Sequence, residues 1–401
     1  MNILHVIPSF APAWRYGGPI VASLGLTTAL AKRGHYVKVF TTNKDGSSVL
    51  PVQPGKPLNM EGIEVTYFPV QFPKWYYFSF KLSNALKQEL PKFDIVHIHS
   101  VYLWPTTIAS YWCRKMKIPY IIRPAGLLDS ININKDYESF IGSYMSKIKK
   151  NGYMKLFGKY DLHGAKGIQY TSQYEMDSSI KLQINNRGKV IPIGVDLPQS
   201  STLHRNRTGS NVEPGSKTLL VVARLDPIKG IDRLIAVISN LYQLRKDFKL
   251  IIGGSGEASY ERKLQEMINR NGLSDVVHMI GSVNPTEKNI IFQQSDLFIL
   301  LSHHENFGVA VAEAMSMNLP VVISNNVGIH DYVKDYGAGL VFGKDNPELI
   351  AHQISKLLDD PNLMNQMGKN GRELCENEFA WDKIAFETEK YYEELISNES
   401  N

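Results

Sequence analysis

Residues 1–41, MNILHVIPSFAPAWRYGGPIVASLGLTTALAKRGHYVKVFT, contain the pattern on which the fold depends. Ile3–Ile7 is a short apolar run with the length of a buried strand, and Val37–Thr41 is a second one. Between them lie a loop that carries Gly17 and Gly18 and then an apolar stretch of helical length. Strand, glycine loop, helix and strand in this order predict the start of a doubly wound α/β sheet.

Short apolar runs alternate with helix-length segments up to about residue 195, and the alternation restarts near residue 217. The stretch between them is polar and rich in Ser, Gly and Asn, which is typical of a linker or an exposed excursion. We therefore predict two doubly wound, Rossmann-like domains that face a cleft, with ligands at the carboxyl ends of the strands. The predicted boundaries are 1–198 for the N-terminal domain, 199–216 for the linker, 217–381 for the C-terminal domain and 382–401 for a helix that can pack back on the N-terminal domain.

The composition is that of a globular protein with unevenly distributed charge. Of the 401 residues 43% are hydrophobic and 21% are charged, and the net charge of +5 is too small to predict a nucleic-acid partner. Residues 1–200 contain 24 Lys and Arg against 12 Asp and Glu, whereas residues 201–401 contain 20 against 27. The basic first half is typical of a surface that meets an anionic acceptor or membrane.

The cellular location is predicted from features that the sequence lacks. Two cysteines, Cys113 and Cys375, exclude a disulfide framework and a thiolate metal cluster. The N-terminus has no basic start with a long apolar run, and no stretch approaches the roughly 20 apolar residues that span a bilayer. We therefore expect a cytoplasmic protein, with peripheral contact at the inner face of the membrane as an extension of that expectation.

Residues 302–315, SHHENFGVAVAEAM, contain the strongest chemical signal in the chain. An apolar strand is predicted to end at Leu301, and a helix is predicted to begin at about Val309. Glu305 and Glu313 then flank one helix N-terminus, whose free N–H groups and dipole favour an anion. A carboxylate in this position can also accept hydrogen bonds from sugar hydroxyls. Two solvated carboxylates at a helix end are the alternative that the spacing leaves open.

This segment resembles the Glu, seven residues, Glu signature of the retaining GT-B glycosyltransferases of family four (glycosyl transferases group 1), of the bacterial surface-polysaccharide type. Five further pieces agree with that family in their order along the chain: Gly17-Gly18, Phe93–His99, Ile193–Asp196, Val222–Gly230 and Ile252–Glu257. The resemblance covers nearly the whole chain. It implies the GT-B fold and transfer of a sugar from a nucleoside diphosphate sugar to an acceptor hydroxyl.

The resemblance also implies roles for single residues. Arg224 and Lys229 follow an apolar strand, and paired cations suit a diphosphate leaving group because negative charge develops on it; an exposed pair of loop residues is the alternative. Together with Glu305, which is implied to contact the donor sugar, they are the predicted catalytic residues. The predicted donor-binding residues are Gly17, Gly18, Gly254, Ser282, Val283, Phe307, Gly308, Val309 and Glu313.

Within this set, Glu313 is implied to hold the nucleotide ribose, while Ser282 and Val283 lie near the base. The backbone from Phe307 to Val309 is implied to contact sugar and phosphate. A glycine-rich turn before a helix, as at Gly17 and Gly18, lets the backbone approach phosphate or sugar, although a plain tight turn would need the same residues.

No metal and no organic cofactor are expected. Adjacent histidines point to different sides, so that His303-His304-Glu305 does not predict a metal triad. No Asp-x-Asp occurs in the sequence, and the two predicted catalytic cations replace the charge that a metal supplies in the other large glycosyltransferase architecture. The glycine run at 253–256 does not predict a nicotinamide or flavin site, because Ser259 stands where the third glycine of that pattern would be.

One position departs from the family. Many relatives carry a histidine in a Pro-His-Gly sequence near the end of the fifth strand, facing the reacting sugar, and here Ala125 stands in that place. His99, Arg123 and Asp129 become candidates for contact with the acceptor or the sugar. A structural role at a strand end is the alternative for His99.

Two segments of the first half combine aromatic and basic character. Residues 75–80 read WYYFSF, and five lysines lie between residues 147 and 159 with aromatic residues among them. Core packing and a solvated helix face are the simpler interpretations. A lip for an apolar acceptor tail and a patch for anionic lipid are the functional ones.

The sequence therefore predicts a metal-independent, retaining hexosyl- or related glycosyltransferase. Its expected pathway is exopolysaccharide, O-antigen or other cell-surface glycan synthesis, with a glycan or lipid-linked acceptor and no nucleic-acid partner. Two alternatives stay open: a nucleotide-sugar epimerase or hydrolase of the same fold, and a non-catalytic protein that binds sugar nucleotides.

Overall fold

The computed structural model describes residues 1–128, 150–180, 188–198 and 216–397. The chain divides into two compact units, which we name unit 1 (Met1–Gly194 with Trp381–Asn401) and unit 2 (Val195–Ala380). Apart from Ser216, the predicted linker lies outside the described residues.

The first part of unit 1 alternates strands with helices. Its strands are β1 (Asn2–Ile7), β2 (Tyr36–Thr42), β3 (Lys44–Asp45), β4 (Ser48–Val49), β5 (Pro57–Met60), β6 (Ile63–Phe68), β7 (Ile95–His99), β8 (Tyr120–Arg123), β9 (Gly167–Tyr170) and β10 (Gly188–Val190). Its helices are α1 (Gly18–Lys32), α2 (Phe80–Glu89), α3 (Trp104–Met116), α4 (Lys159–Gly164) and α5 (Gln173–Ile180).

Eight of these strands form one sheet in the order β10-β9-β8-β7-β1-β2-β6-β5. All neighbours are parallel except β5, which runs antiparallel to β6 with Met60 opposite Ile63. Glu61 and Gly62, at φ 52° and 85°, form the two-residue turn between them. The sequence did not predict β5, because its side chains are mostly exposed and form no apolar run.

Unit 2 repeats the alternation. Its strands are β11 (Lys217–Val222), β12 (Phe248–Gly253), β13 (Val277–Gly281), β14 (Leu297–Leu300), β15 (Val321–Ser324) and β16 (Gly339–Phe342). Its helices are α6 (Ile231–Leu244), α7 (Ala258–Arg270), α8 (Pro285–Gln294), α9 (Val309–Ser316), α10 (His330–Asp335), α11 (Pro347–Leu358) and α12 (Pro361–Glu378). The sheet is wholly parallel, in the order β13-β12-β11-β14-β15-β16.

Each sheet has one point at which the chain reverses the direction in which strands are added. This point lies between β1 and β7 in unit 1 and between β11 and β14 in unit 2. In open parallel sheets the loops that leave the carboxyl ends of such a strand pair form the usual ligand site. The topology therefore predicts that ligands bind at the loops after these four strands.

The last helix, α13 (Trp381–Ser397), returns to unit 1. Ile384, Ala385, Tyr391 and Tyr392 are buried in the same apolar cluster as β1 and α1. Trp381 packs so closely on α1 that a Cβ on Gly25 would lie 2.1 Å from its ring.

The change from unit 1 to unit 2 occurs after Gly194 rather than at the predicted residue 198. The reason is local, because Val195 donates its N–H to the carbonyl of Phe379 at 2.8 Å and so joins unit 2.

Candidate active site

The loops after β11 and β14 meet at the switch point of unit 2. The turn Pro227–Lys229 begins at Asp226, whose carboxylate accepts the N–H of Ile228 at 3.1 Å. The carbonyl of Ile228 in turn accepts the N–H of His303 at 2.9 Å, which joins the two loops. Gly230 follows at φ 63°, where a Cβ would lie 2.2 Å from the carbonyl oxygen of Leu301. The backbone therefore fixes both loops relative to each other.

This arrangement brings together two of the predicted catalytic residues. Lys229 forms an ion pair with Glu305, and both side chains are about one-fifth exposed. The backbone of Glu305 is held from the other side, since its N–H donates to Asn326 at 2.9 Å and its carbonyl accepts from Gly328 at 2.8 Å. A lysine that is held in place yet reachable from solvent can exchange its carboxylate partner for a ligand anion.

Gly308 turns the chain from this loop into α9. It adopts φ 103°, and a Cβ would lie 2.7 Å from the side chain of Val327, so that conformation and space both require glycine. The helix begins at Val309 as the sequence predicts, and its first N–H groups are the ones that a helix leaves for an anion. Phe307 itself is buried and packs against Phe379.

Glu313 lies one turn into α9 and pairs with Lys288 of α8 at 2.5 Å. Burial raises the pKa of this carboxyl above its ordinary value, Lys288 lowers it, and nearby Asp196 raises it. Sequence reasoning did not find Lys288, because no spacing along the chain connects α8 with α9.

Arg224, the third predicted catalytic residue, extends into solvent. Its guanidinium is 3.3 Å from the carboxylate of Asp226, and two-thirds of the side chain is exposed. Arg224 therefore lies on the same loop as Lys229 but is not held in the Lys229–Glu305 pair.

The remaining predicted donor-binding residues of unit 2 follow β12 and β13. Gly254 adopts φ 136° and donates its N–H to Gly281 at 2.7 Å, while a Cβ there would lie 1.8 Å from the carbonyl oxygen of Ala223. The hydroxyl of Ser282 donates to Ser255 at 2.7 Å. Gly254, Ser282 and the following Val283 therefore lie at one edge of the sheet, beside the loop that carries Arg224.

Comparison with known proteins identifies the family and the fold of the chain. The family "Glycosyltransferase Family 4" matches residues 16–199, and the family "Glycosyl transferases group 1" matches residues 204–374. The chain belongs to the group 1 glycosyltransferases. Since the two matches meet near the start of unit 2, each family description covers one Rossmann-like unit of this glycosyltransferase.

Full-length relatives extend the likeness over nearly the whole chain. An uncharacterized glycosyltransferase of Methanocaldococcus jannaschii is 25% identical over 94% of this chain and 96% of its own length. Alpha-monoglucosyldiacylglycerol synthase of Acholeplasma laidlawii is 24% identical over 76% of each chain. The structure of Anabaena HepE in complex with UDP-glucose matches with a TM-score of 0.73 and 19% identity, over 99% of this chain and 100% of that one. The predicted GT-B class, with two Rossmann-like parallel-sheet domains, is thereby confirmed.

In unit 1 of the glycosyltransferase, Gly17 ends the loop after β1 and Gly18 is the first residue of α1. Gly17 adopts φ 65° as the N-cap of α1, and nothing lies within 4 Å of the position that its Cβ would take. The positive φ explains the glycine, and the open space leaves the first turn of α1 accessible.

Two further predicted residues of unit 1, His99 and Arg123, are buried. His99 and Arg123 pair in register on β7 and β8 and are 7% and 4% exposed. Ala125, in the place of the family histidine, adopts φ 54° in the turn after β8. The buried carboxylate of Glu175 fixes this turn by accepting the N–H groups of Gly126 and of Thr171, the latter at 2.8 Å. Asp129 lies outside the described residues.

Three histidines meet at the switch point of unit 1, which the sequence analysis did not foresee. His5 Nδ1 lies 2.9 Å from His99 Nε2, and His97 Nδ1 lies 2.7 Å from the hydroxyl of Tyr392. Burial is the main cause that lowers the pKa of all three imidazoles, to about 3 for His5, and Arg123 adds to it. Among the described residues, this is the group of side chains that could hold a metal ion.

The aromatic segment and the described part of the basic segment form part of the surface of unit 1, while Lys147 and Lys149 lie outside the described residues. Phe72, Trp75 and Phe80 are more than half exposed, whereas Tyr76 turns inward to bond Thr107 at 3.1 Å. A surface cavity of about 500 Å³ has a basic lining and is bordered by exposed Tyr160. The lining includes Arg114, Lys155, Lys159 and His163. In the described part of the chain, no helix combines the length and the apolar character needed to cross a membrane.

Proposed function

We propose that this chain is a retaining glycosyltransferase that moves a sugar from a nucleoside diphosphate sugar to an acceptor hydroxyl. The observation that carries the proposal is the grouping of Lys229, Glu305 and the α9 N-terminus at the switch point of unit 2. Anabaena HepE, which has the same fold, was solved with UDP-glucose, and this supports a nucleoside diphosphate sugar as the donor.

The donor diphosphate lies against the loops that follow β11 and β14. Lys229 exchanges the carboxylate of Glu305 for a phosphate oxygen, and the exposed Arg224 moves onto the same group. The first N–H groups of α9 supply further donors, because Gly308 has no side chain to keep the ligand away. These groups stabilise the negative charge that develops on the departing diphosphate.

The rest of the donor is held by the neighbouring residues. Glu305, once released from Lys229, accepts hydrogen bonds from the donor sugar. Glu313 accepts hydrogen bonds from the ribose hydroxyls, and its contact with Lys288 sets the direction of the carboxylate. The base lies near Ser282 and Val283.

The chemical step needs no protein nucleophile. The acceptor oxygen attacks the anomeric carbon from the face that the diphosphate leaves, and the bond from that carbon to the phosphate oxygen breaks. The departing phosphate takes up the acceptor proton, so that the products are the glycoside with retained configuration and the nucleoside diphosphate. Lys229 and Arg224 supply the charge that a metal ion would otherwise bring to the diphosphate.

The acceptor is a growing cell-surface glycan on a lipid carrier, reached at the inner face of the membrane. The relative from Acholeplasma laidlawii is named for the synthesis of a glycolipid, which supports a lipid-linked acceptor. The exposed aromatic side chains Phe72, Trp75 and Phe80 and the basic cavity beside Lys155 and Lys159 support contact of unit 1 with an anionic surface.

A donor panel tests the reaction. Purified protein is incubated with UDP-, GDP-, ADP- and dTDP-sugars, with and without bacterial lipid extract, and release of nucleoside diphosphate is measured. We expect release that depends on the extract and persists with EDTA, and a product with the anomeric configuration of the donor by NMR. Release without any acceptor would favour an epimerase or hydrolase, and binding without turnover would favour a non-catalytic protein.

Vesicle flotation tests the membrane contact separately. We expect the protein to float with phosphatidylcholine vesicles only when phosphatidylglycerol is included. The double variant Lys155→Glu and Lys159→Glu should lose this binding, whereas Lys369→Glu, at an exposed lysine of unit 2, should keep it. Equal flotation with neutral vesicles would contradict an electrostatic contact.

A further inference from the structure

The three histidines of unit 1 lie together because of the register of its sheet. His5 of β1 is the direct partner of His97 on β7, and His99 follows His97 by two residues. Direct partners in a parallel pair, and residues two apart in one strand, share a face of the sheet. All three imidazoles therefore project from one face, at the point where the order of strands reverses.

Their nitrogen atoms are arranged in the manner of ligands. One ring nitrogen from each histidine can be chosen so that all three lie within 4.8 Å of one another. Tetrahedral ligands at about 2.0–2.1 Å from zinc lie roughly 3.4 Å apart, so rotations of the rings could close the site. His97 Nδ1 is already occupied by the hydroxyl of Tyr392, and such a bond to the second nitrogen commonly orients a metal-bound histidine.

Two of the nitrogens have no other partner. His5 Nε2 and His97 Nε2 are buried and make no hydrogen bond. A buried polar atom without a partner is unfavourable, so the presence of two such nitrogens at this place needs an explanation. A bound ion would satisfy such atoms.

We propose that His5, His97 and His99 bind one transition-metal ion of the zinc type at the switch point of unit 1. Neutral imidazoles prefer zinc, copper, nickel or cobalt to magnesium or calcium, which favour oxygen ligands. The three histidines belong to unit 1 and the proposed diphosphate-binding residues belong to unit 2, so this proposal does not depend on the transfer reaction.

The positive charge of Arg123 opposes the binding of a cation at the three histidines. Its guanidinium is buried on β8 beside His99 and acts on all three imidazoles, while the buried carboxylate of Glu175 faces it. The arginine charge is therefore partly compensated within unit 1. Removal of the Arg123 charge should therefore strengthen the binding of a cation at the three histidines.

Cobalt titration of the full chain tests the site. After removal of metal with a chelator, we expect one equivalent of Co²⁺ to bind with the visible absorption of a tetrahedral site and to be displaced by Zn²⁺. His5→Asn, His97→Asn and His99→Asn should each weaken binding at least tenfold, whereas His278→Asn, at an exposed histidine of unit 2, should not. Circular dichroism shows which variants fold. Failure of the native protein to take up an equivalent, or unchanged binding in the folded variants, would overturn the proposal.

A second pair of substitutions tests the position of the ion. Arg123→Met combined with Glu175→Gln removes the opposing cation without leaving a buried charge unpaired. We expect Co²⁺ to bind at least tenfold more tightly to this double variant. Unchanged or weaker binding would mean that the ion does not lie beside Arg123, and would contradict the placement at these histidines.

Discussion

Unit 1 and unit 2 are built on the same kind of sheet, with one switch point each, yet they place different chemistry there. At the switch point of unit 2, Lys229 and Glu305 are paired but partly exposed. At the switch point of unit 1, His5 and His97 are completely buried. A partly exposed pair can change partners when a ligand arrives, whereas a buried cluster is part of the core. Substitutions at the switch point of unit 2 should therefore affect catalysis more than stability, and substitutions in unit 1 should affect stability more than catalysis.

Lys229→Ala should have the largest effect. Removing one donor to a developing negative charge costs about 2.7–4 kcal/mol of transition-state stabilisation, a hundredfold to a thousandfold in kcat. The free energy of unfolding should fall by no more than about 1 kcal/mol, because Glu305 stays partly accessible to water when its ion-pair partner is removed. Steady-state kinetics and urea denaturation measure the two quantities. Lys369→Ala is the control, and a Lys229→Ala enzyme with unchanged kcat would remove this residue from the mechanism.

Gly25→Ala is the corresponding test of unit 1. Alanine favours a helix by up to about 1 kcal/mol over glycine, but here its Cβ would lie 2.1 Å from Trp381 of α13. Overpacking of this kind costs about 1–3 kcal/mol, so after the helix gain we expect a net loss of about 1–2 kcal/mol in the free energy of unfolding.

The double variant Gly25→Ala with Trp381→Leu separates the overpacking cost from the gain in helix propensity. In the Trp381→Leu background, Gly25→Ala should cost less free energy of unfolding than it does in the native protein, as measured by urea denaturation. A Gly25→Ala protein as stable as the native one would mean that α13 does not pack tightly on α1.

The difference between the units also explains what the sequence could predict. Buried strands such as β14 are continuous apolar runs, and Gly308 and Val309 mark the start of α9 by local rules alone. The donor site proposed for unit 2 is built from such local features, so its loops could be predicted from the chain. Pairs such as Lys288 with Glu313 could not, because they join side chains whose distance is set by packing.

The histidine cluster of unit 1 shows the same limit more strongly. His5 and His97 are far apart in sequence, and only the pairing of β1 with β7 makes them neighbours. The alternation of His97 and His99 in one strand was the available signal. Sequence reasoning considered the adjacent His303 and His304 instead, because they stand next to the glutamate motif.

Gly308→Ala tests whether the backbone turn before α9, at the switch point of unit 2, requires glycine. A left-handed conformation costs alanine about 1–2 kcal/mol, and the clash with Val327 adds to this cost. Gly272→Ala is the matched control, because Gly272 also has a positive φ but nothing within 4 Å of its Cβ position. We expect Gly308→Ala to lose about 1 kcal/mol more stability than the control and to bind the donor more weakly, as measured by urea denaturation and calorimetry. Equal losses would mean that Val327 does not confine this turn.

Glu313→Gln should give the smallest effect, and it is visible in the pH dependence. Because burial raises the pKa of Glu313 in the folded state, the folded protein binds more protons than the unfolded chain over the range above the ordinary value of 4.5. The free energy of unfolding of the native protein, relative to the variant, should then fall as the pH rises through that range. Urea denaturation at a series of pH values measures this difference, and Glu348→Gln, at an exposed glutamate, corrects for the change in net charge. A difference that grows with pH would instead mean that the attraction of Lys288 outweighs burial. Glu313 would then form a stable ion pair with Lys288, as at an ordinary surface. A bound ribose could in that case not satisfy the carboxylate better than its present surroundings do.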